Sequence, residues 1–159
     1  YGLVGSEMCI RDSTTLVCAV ARSDMAVIGN IGDSRAYHIT PEGIFQISRD
    51  HSVVENMVAK GDLTPLEART HPNRNLITRA LGPDIHAKAD AFELPWHKDE
   101  FLLLCSDGLV NTVSDQEMLF EVLHDGDVNE CLDHLLQISL QRGAPDNITA
   151  VLLLNEEGR

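Results

Sequence analysis

The sequence predicts an α+β fold in which antiparallel strands form stacked sheets with helices outside. Three patterns indicate this class: β-branched and apolar runs separated by short turns, two places where the apolar period changes to 3.6 residues, and a strongly apolar run in the second half. With 159 residues, 43% of them hydrophobic, the chain is long enough to bury a core. No internal repeat or linker divides it, so a single domain is expected.

Strand patterns dominate the first half of the chain. Four β-rich runs with short connections predict an antiparallel meander, at 14–21, 25–31, 35–40 and 44–48. Further extended runs follow a helical segment, at 76–81, 87–94, 100–106 and 148–154. The run at 100–106 is apolar from Phe101 to Cys105, which indicates a strand buried on both faces.

Helix-start and helix-stop signals mark four helices. Ser52–Lys60 reads as a helix that Gly61 ends, and Thr64 to Glu67 form a capping box with proline at the first helical position. Two more boxes open the remaining helices, Ser114 to Glu117 for 117–124 and Asp127 to Glu130 for a helix to Arg142, which Gly143 ends.

The charge of the chain is concentrated in its C-terminal part. The formal net charge is -13, and residues 99–159 contribute 13 acidic against two basic side chains. Such a balance argues against nucleic-acid binding, which needs basic patches. A solvated acidic surface and a group of carboxylates around a divalent cation both explain it, and charge alone does not decide.

Cysteine spacing and apolar run length exclude further classes. Cys9, Cys18, Cys105 and Cys131 form no C-x-x-C pair, so a zinc site and a disulfide scaffold are not expected, and Cys18 and Cys105 are predicted to pack inside strands as reduced thiols. No apolar run approaches the length of a membrane span.

The first 13 residues, YGLVGSEMCIRDS, differ in character from the rest. They carry no helix or strand period and no signal-peptide pattern. They resemble a translated sequencing adapter, so residues 1–13 are interpreted as a non-native leader. The fold is expected over 14–154, followed by a tail at 155–159.

Three aspartates follow or precede apolar strands beside residues typical of turns. They are Asp33 in Gly32-Asp33-Ser34-Arg35, Asp107 in Ser106-Asp107-Gly108, and Asp146 in Asp146-Asn147-Ile148-Thr149. An ionised carboxylate at the end of a buried strand needs a partner, a hydrogen bond or a metal. A turn aspartate bonded to its own backbone is the alternative for each one alone. Three together favour a site for Mg²⁺ or Mn²⁺.

The serines, arginines and histidines do not indicate a different catalytic site. Ser34 and Ser106 lack a surrounding His–Asp relay, which excludes a serine hydrolase. Arg35 and Arg79 are expected to form structural ion pairs. The seven histidines show no metal-ligand spacing, and His51 and His71 are expected to hold local structure rather than to transfer protons.

These motifs, together with Asp50-His51-Ser52 and the stretch His71-Pro72-Asn73-Arg74-Asn75-Leu76-Ile77-Thr78-Arg79-Ala80-Leu81-Gly82, resemble the PPM-type metal-dependent protein phosphatases, the protein phosphatase 2C family. The resemblance covers about 13–154 and is closest to the bacterial branch. It implies a four-layer α-β-β-α sandwich that is incomplete at the N-terminus of this chain.

The resemblance also implies roles for individual residues. Asp107 matches a ligand of the catalytic metal pair, Asp146 a ligand that closes one of those sites, and Asp33 a ligand of a weaker third metal. Gly108 and Asn147 would support the metal loops, and residues 50–75 correspond to a flap beside the site. Substrate-binding residues are not assigned, and no catalytic residue is expected beyond the metal ligands.

The implied reaction is hydrolysis of phosphoserine or phosphothreonine in proteins by a water activated by two Mn²⁺ or Mg²⁺ ions, with a possible third. The family places further metal ligands and a phosphate-binding arginine upstream, so this chain by itself is expected to be inactive or nearly so. Phosphorylated proteins and a eukaryotic-type Ser/Thr kinase are the expected partners, and a cytoplasmic monomer is the expected form.

Two alternatives remain open from the sequence. The protein could be a pseudophosphatase that serves as a regulatory binding module. It could also be a phosphatase of an anti-sigma partner-switching pathway.

Overall fold

The computed structural model describes residues 13–82, 86–124 and 127–157. The leader interpretation for 1–13 therefore falls, except for Ser13, outside the described residues, as do Cys9 and the last two residues of the tail. The fold contains two antiparallel sheets and five helices within the described part of the chain. The predicted α+β class is confirmed.

The strands are β1 (Leu16–Ala21), β2 (Met25–Ile31), β3 (Arg35–Thr40), β4 (Gly43–Gln46), β5 (Asp90–Pro95), β6 (Phe101–Cys105) and β7 (Ala150–Leu154). The helices are α1 (Val53–Lys60), α2 (Pro65–Thr70), α3 (Asp107–Val110), α4 (Asp115–His124) and α5 (Val128–Gln141). One sheet has the order β1-β2-β5 and the other the order β4-β3-β6-β7.

The predicted single meander is wrong at one connection. β1 pairs with β2 and β3 with β4, but β2 and β3 belong to different sheets. Gly32, at φ 112, lies in a left-handed backbone conformation that suits glycine, and the chain passes there from one sheet to the other. Asp33 therefore lies at an end of the sandwich, in the crossing between the sheets.

Two apolar clusters hold the layers together. One lies between the sheets and contains Ile28, Trp96 and Leu102, and the other packs Leu103 and Leu135 between the four-stranded sheet and helices α3 to α5. Adjacent leucines of β6 thus enter different clusters, which confirms the prediction of a strand buried on both faces.

The outer face of the three-stranded sheet is apolar and exposed in the described part of the chain. Leu16, Val20 and Met25 are 47%, 70% and 47% exposed. Cys18 is also exposed, so its predicted packing role is wrong, whereas Cys105 is buried as expected. Cys18 is exposed because alternate residues of β1 point to opposite faces of the sheet, and Cys18 shares the exposed face with Leu16 and Val20.

Local capping signals place the helices. Ser52 accepts a hydrogen bond from the Glu55 N–H at 3.1 Å, and Gly61 ends α1 in a left-handed conformation. The predicted reciprocal box of Thr64 and Glu67 is present at the start of α2. The helix after Ser114 begins at Asp115, earlier than expected.

Two elements differ from expectation. The run 76–81 forms no strand, because it makes only isolated bridges, Ile77 with Ser52 and Leu81 with Thr14. Helix α3 was not predicted, because four residues are too few to show a period. No helix in the described ranges is long and apolar enough to cross a membrane.

Candidate metal centre

The antiparallel pairing of β3, β6 and β7 brings three aspartates to one end of the four-stranded sheet. Arg35 at the start of β3 pairs with Cys105 at the end of β6, and Cys105 pairs with Ala150 at the start of β7. Asp33 lies just before β3, Asp107 just after β6, and Asp146 shortly before β7. The two strand starts and the strand end coincide, so the three predicted ligands lie on adjacent segments.

Asp107 occupies the central position of this group. Burial, followed by the negative charge of Asp146, raises its pKa above the usual 3.8. Burial, followed by the charge of Asp107, raises the pKa of Asp33 in the same way. Each of these carboxylates is therefore destabilised in its ionised form by its surroundings.

The neighbouring cation does not neutralise the group. Arg35 Nε donates to both carboxylate oxygens of Asp50 at 3.0 Å, and its Nη2 donates to Asp50 Oδ2 at 2.7 Å. Its Nη1 donates to the Tyr37 hydroxyl. The ion pair predicted for Arg35 is confirmed, and its guanidinium is committed to Asp50.

The loops of Asp107 and Asp146 are joined through Ser106. The Ser106 hydroxyl donates to the Asn147 carbonyl at 3.2 Å and accepts the Thr149 N–H at 3.0 Å. Ser106 N–H donates to the Thr149 carbonyl at 2.9 Å. The sequence did not predict this bridging role of Ser106, because its hydroxyl was assessed only as a possible nucleophile.

Gly108 is required for close approach rather than for a turn. It lies in helix α3, and a Cβ added to it would collide with the Asn147 carbonyl oxygen. Gly108 therefore lies in a helical turn without a positive φ, whereas Gly32 adopts a left-handed backbone conformation. Asn147 contributes main-chain groups, since its N–H donates to Asp146 Oδ1 at 2.7 Å and its carbonyl accepts from Ser106.

The turn that carries Asp33 is held from both sides. The Thr15 and Ser34 hydroxyls lie 2.9 Å apart, and a Cβ on Gly32 would collide with the Thr15 side chain. On the other side, Gly32 N–H donates to His51 Nδ1 at 3.0 Å. This contact agrees with the expectation that His51 holds local structure. Asp90 accepts hydrogen bonds from His51 and Arg79, and the sequence analysis did not identify it.

The three aspartates suit a divalent cation by their chemistry. Carboxylate oxygens are the ligands preferred by Mg²⁺ and Mn²⁺, and burial together with a neighbouring aspartate raises the pKa of both Asp33 and Asp107. Within residues 13–82, 86–124 and 127–157, no three acidic, histidine or cysteine side chains are grouped closely enough to hold one ion. The charge of Asp146 contributes to the raised pKa of Asp107, and the charge of Asp107 to that of Asp33, so Asp107 lies between the other two aspartates electrostatically.

Comparison with known proteins identifies relatives by sequence. A family profile described as "Protein phosphatase 2C" matches residues 10–152. The serine/threonine phosphatase stp of Listeria monocytogenes is 36% identical over 158 residues, which cover 97% of this chain and 63% of that protein. The protein phosphatase PhpP of Streptococcus pneumoniae is 35% identical over 145 residues, covering 91% of this chain and 59% of that protein.

Solved structures agree with these matches. The serine/threonine phosphatase Stp1 from Staphylococcus aureus superimposes with a TM-score of 0.85 at 41% identity, covering 89% of this chain and 56% of that one. The catalytic domain of the phosphatase PstP, solved in complex with two manganese ions, gives a TM-score of 0.77 at 31% identity, covering 95% and 64%. This chain therefore spans less than two thirds of the length of these relatives.

Proposed function

The chain belongs to the protein phosphatase 2C family, and we propose that the full-length protein hydrolyses phosphoserine and phosphothreonine in other proteins with bound divalent cations. The observation that carries the proposal is Asp107. Its partly buried carboxylate lies beside Asp33 and Asp146, and the nearest guanidinium is engaged by Asp50. The site thus has an excess of oxygen ligands and negative charge. Without a bound cation, these carboxylates would repel a negatively charged phosphate group.

We assign the metal-binding role to Asp107, Asp146 and Asp33. Mn²⁺ or Mg²⁺ ions, when bound, supply a hydroxide from water at neutral pH and charge stabilisation for the phosphoryl oxygens. Asp107 would serve two adjacent sites, because it follows β6, the strand that lies between the strands next to Asp33 and Asp146. Ser106, Gly108 and the main chain of Asn147 would hold Asp107 and Asp146 at a fixed separation.

No side chain is proposed as a nucleophile or proton donor. The two serines beside the aspartates are engaged with neighbours: Ser34 with Thr15, and Ser106 with Asn147 and Thr149. The role of the protein groups is therefore to orient the carboxylates and to fix the loops that carry them. Residues 50–75 are proposed as the substrate-contacting flap. His51 in this segment contacts Gly32, which lies at this end of the sheet.

The substrates and setting follow the same proposal. Proteins phosphorylated by a eukaryotic-type Ser/Thr kinase, in the cytoplasm, are the proposed partners. The regulatory-module and partner-switching alternatives are not favoured, because the relatives reported above are named serine/threonine or protein phosphatases. The relatives are longer than this chain, so the activity is assigned to the full-length protein.

The test is phosphate release from phosphoserine and phosphothreonine peptides by the full-length protein. Activity should require Mn²⁺ or Mg²⁺, and excess EDTA should abolish it. Hydrolysis that persists unchanged in EDTA would contradict the proposal, and so would the absence of hydrolysis with both metals and a broad peptide set. The 159-residue chain, assayed in parallel, is expected to show little or no activity.

A further inference from the structure

His51 is a buried histidine that joins three separate segments of the fold. It is 6% exposed. Its main-chain N–H donates to the Gly32 carbonyl at 2.8 Å, and its Nδ1 accepts the Gly32 N–H at 3.0 Å. Its Nε2 lies 3.0 Å from Asp90 Oδ2, at the start of β5. One side chain therefore connects the crossing between the sheets with the first residue of β5.

These contacts determine the tautomer of the ring. A main-chain N–H only donates, so Nδ1 must carry no proton when it accepts from Gly32. The ring proton is then on Nε2, which donates to Asp90. Arg79 donates to the other oxygen of Asp90 at 2.7 Å. The hydrogen bonds from His51 and Arg79 lower the pKa of Asp90, which keeps this carboxylate ionised as an acceptor at neutral pH.

The contact with Gly32 controls the residue that follows it. Gly32 has φ 112, and Thr15 closes the other side of the turn. A turn held by a side chain on each side has little freedom to rotate the next peptide. The main-chain position of Asp33 therefore depends on whether Gly32 keeps its bond to His51.

We propose that His51, oriented by Asp90 and Arg79, is a positioning residue that fixes the Asp33 carboxylate for divalent-cation binding. The inference rests on the proposed function, because it assigns a support to one of its metal ligands. Removing a residue that hydrogen-bonds to and orients a metal ligand typically lowers metal affinity or activity by about 10–100-fold.

Two substitutions separate the two hydrogen bonds of the ring. In His51→Gln the side-chain amide reaches the place of Nε2 and donates to Asp90, but nothing accepts the Gly32 N–H. In His51→Asn the amide oxygen takes the place of Nδ1 and accepts from Gly32, but Asp90 loses its donor. Each variant loses one hydrogen bond of the ring, the buried bond to Gly32 in His51→Gln and the partly buried bond to Asp90 in His51→Asn, so both are expected to lower Tm.

The measurement is Mn²⁺ binding to the full-length protein, followed by the electron paramagnetic resonance signal of free Mn²⁺. His51→Gln should weaken the weakest class of Mn²⁺ sites about tenfold. His51→Asn should weaken it less than about threefold. Amide exchange at Gly32, measured by NMR in the full-length protein, should accelerate in His51→Gln more than in His51→Asn.

A double-mutant cycle tests whether His51 acts through Asp33. Asp33→Asn alone should weaken the same Mn²⁺ sites, and adding His51→Gln should produce no further loss beyond about twofold. Additive losses would show that His51 acts elsewhere and would overturn the proposal. Equal losses in His51→Gln and His51→Asn would assign only a packing role, and would overturn it as well.

His38→Gln is the matched control. His38 is also partly buried and lies 2.8 Å from a carboxylate, Glu100, but it lies further along β3 from the metal centre. This variant should lower Tm without changing Mn²⁺ affinity. Failure of the proposed function is separable, because a wild-type protein that releases no phosphate would refute that function while leaving the His51 effects on Mn²⁺ binding measurable.

Discussion

Asp107 and Glu117 both lie in the first turn of a helix, where a negative charge is favoured, yet their surroundings are opposite. Asp107 lies in the candidate metal centre, where partial burial and the negative charge of Asp146 raise its pKa. Glu117 accepts hydrogen bonds from Arg142 and from Ser114, which hold its pKa far below the usual range. One carboxylate is destabilised by the folded protein and the other is stabilised.

The contrast shows that the acidic C-terminal part of the chain contains two kinds of carboxylate. Glu117 is satisfied within the protein, where it links the start of α4 to Arg142 at the end of α5. Asp107 lies at the end of the sheet, where burial and the charge of Asp146 raise its pKa. The net charge of -13 therefore does not describe one uniform acidic surface.

The largest expected difference between the two residues is in activity. Asp107→Ala in the full-length protein should lower Mn²⁺-dependent phosphopeptide hydrolysis by at least about a hundredfold, the scale of losing one preorganised electrostatic group. Glu117→Gln is the control and should retain activity within about twofold. Hydrolysis by Asp107→Ala at the rate of the control would remove Asp107 from the metal centre.

Gly108→Ala tests the contact that joins the two ligand loops. The added Cβ would collide with the Asn147 carbonyl, so we expect a loss of about 1–3 kcal/mol in unfolding free energy and about a tenfold loss of activity. Gly61→Asn is a suitable control, because Gly61 has open space around it and asparagine tolerates its left-handed backbone. Chemical denaturation and peptide assays measure both effects. Wild-type values for Gly108→Ala would show that the loops need no such contact.

The pH dependence of stability should separate Asp107 from Glu117 in metal-free protein. Folding raises the pKa of Asp107, so its ionised form is destabilising and the penalty disappears as the pH falls towards 3.8. Asp107→Asn should thus raise Tm by roughly 2–4 °C at pH 7, a gain that shrinks as the pH approaches 4.

The opposite sign applies to Glu117. Folding lowers its pKa, so its contribution is present above pH 4.5 and is lost as the pH falls below that value. The Tm difference between wild type and Glu117→Gln should be constant near neutral pH and should close only in acid. Identical pH profiles for the two substitutions, in calorimetry with EDTA, would contradict the distinction.

The smallest expected effect is the loss of the Glu117–Arg142 pair itself. Both side chains are exposed enough for water and salt to screen the interaction. Glu117→Gln should lower Tm by no more than about 3 °C at low salt, and by less in 0.5 M NaCl. A larger, salt-independent loss would mean that this pair has more than a local role in joining α4 to α5.

Local features of the fold were readable from the sequence. The bounds of β2 and β3 agree with the apolar runs, and the capping signals at Ser52 and Thr64 place two helices, because these patterns depend on neighbouring residues only. The assignment of strands to sheets was not readable. A short connection has the same sequence pattern whether its two strands pair with each other or belong to different sheets. At Gly32 the chain passes from one sheet to the other.

The same distinction applies to the candidate site. Asp33, Asp107 and Asp146 stand out because each adjoins an apolar run next to a turn residue. Their supports do not stand out. Asp90 pairs with His51 across 39 positions, and Gly108 meets the main chain of Asn147. Such contacts depend on tertiary packing, which brings together residues that share no local pattern.

Folding destabilises the ionised Asp107 carboxylate, and we expect a bound divalent cation to stabilise it. The most direct test is calorimetry of full-length wild type and Asp107→Asn at pH 7, with EDTA and with Mn²⁺. We predict that Asp107→Asn has the higher Tm in EDTA, and that Mn²⁺ raises the Tm of wild type by several degrees but that of the variant by much less. Equal Mn²⁺-induced shifts in the two proteins, or a lower Tm for Asp107→Asn in EDTA, would contradict the claim.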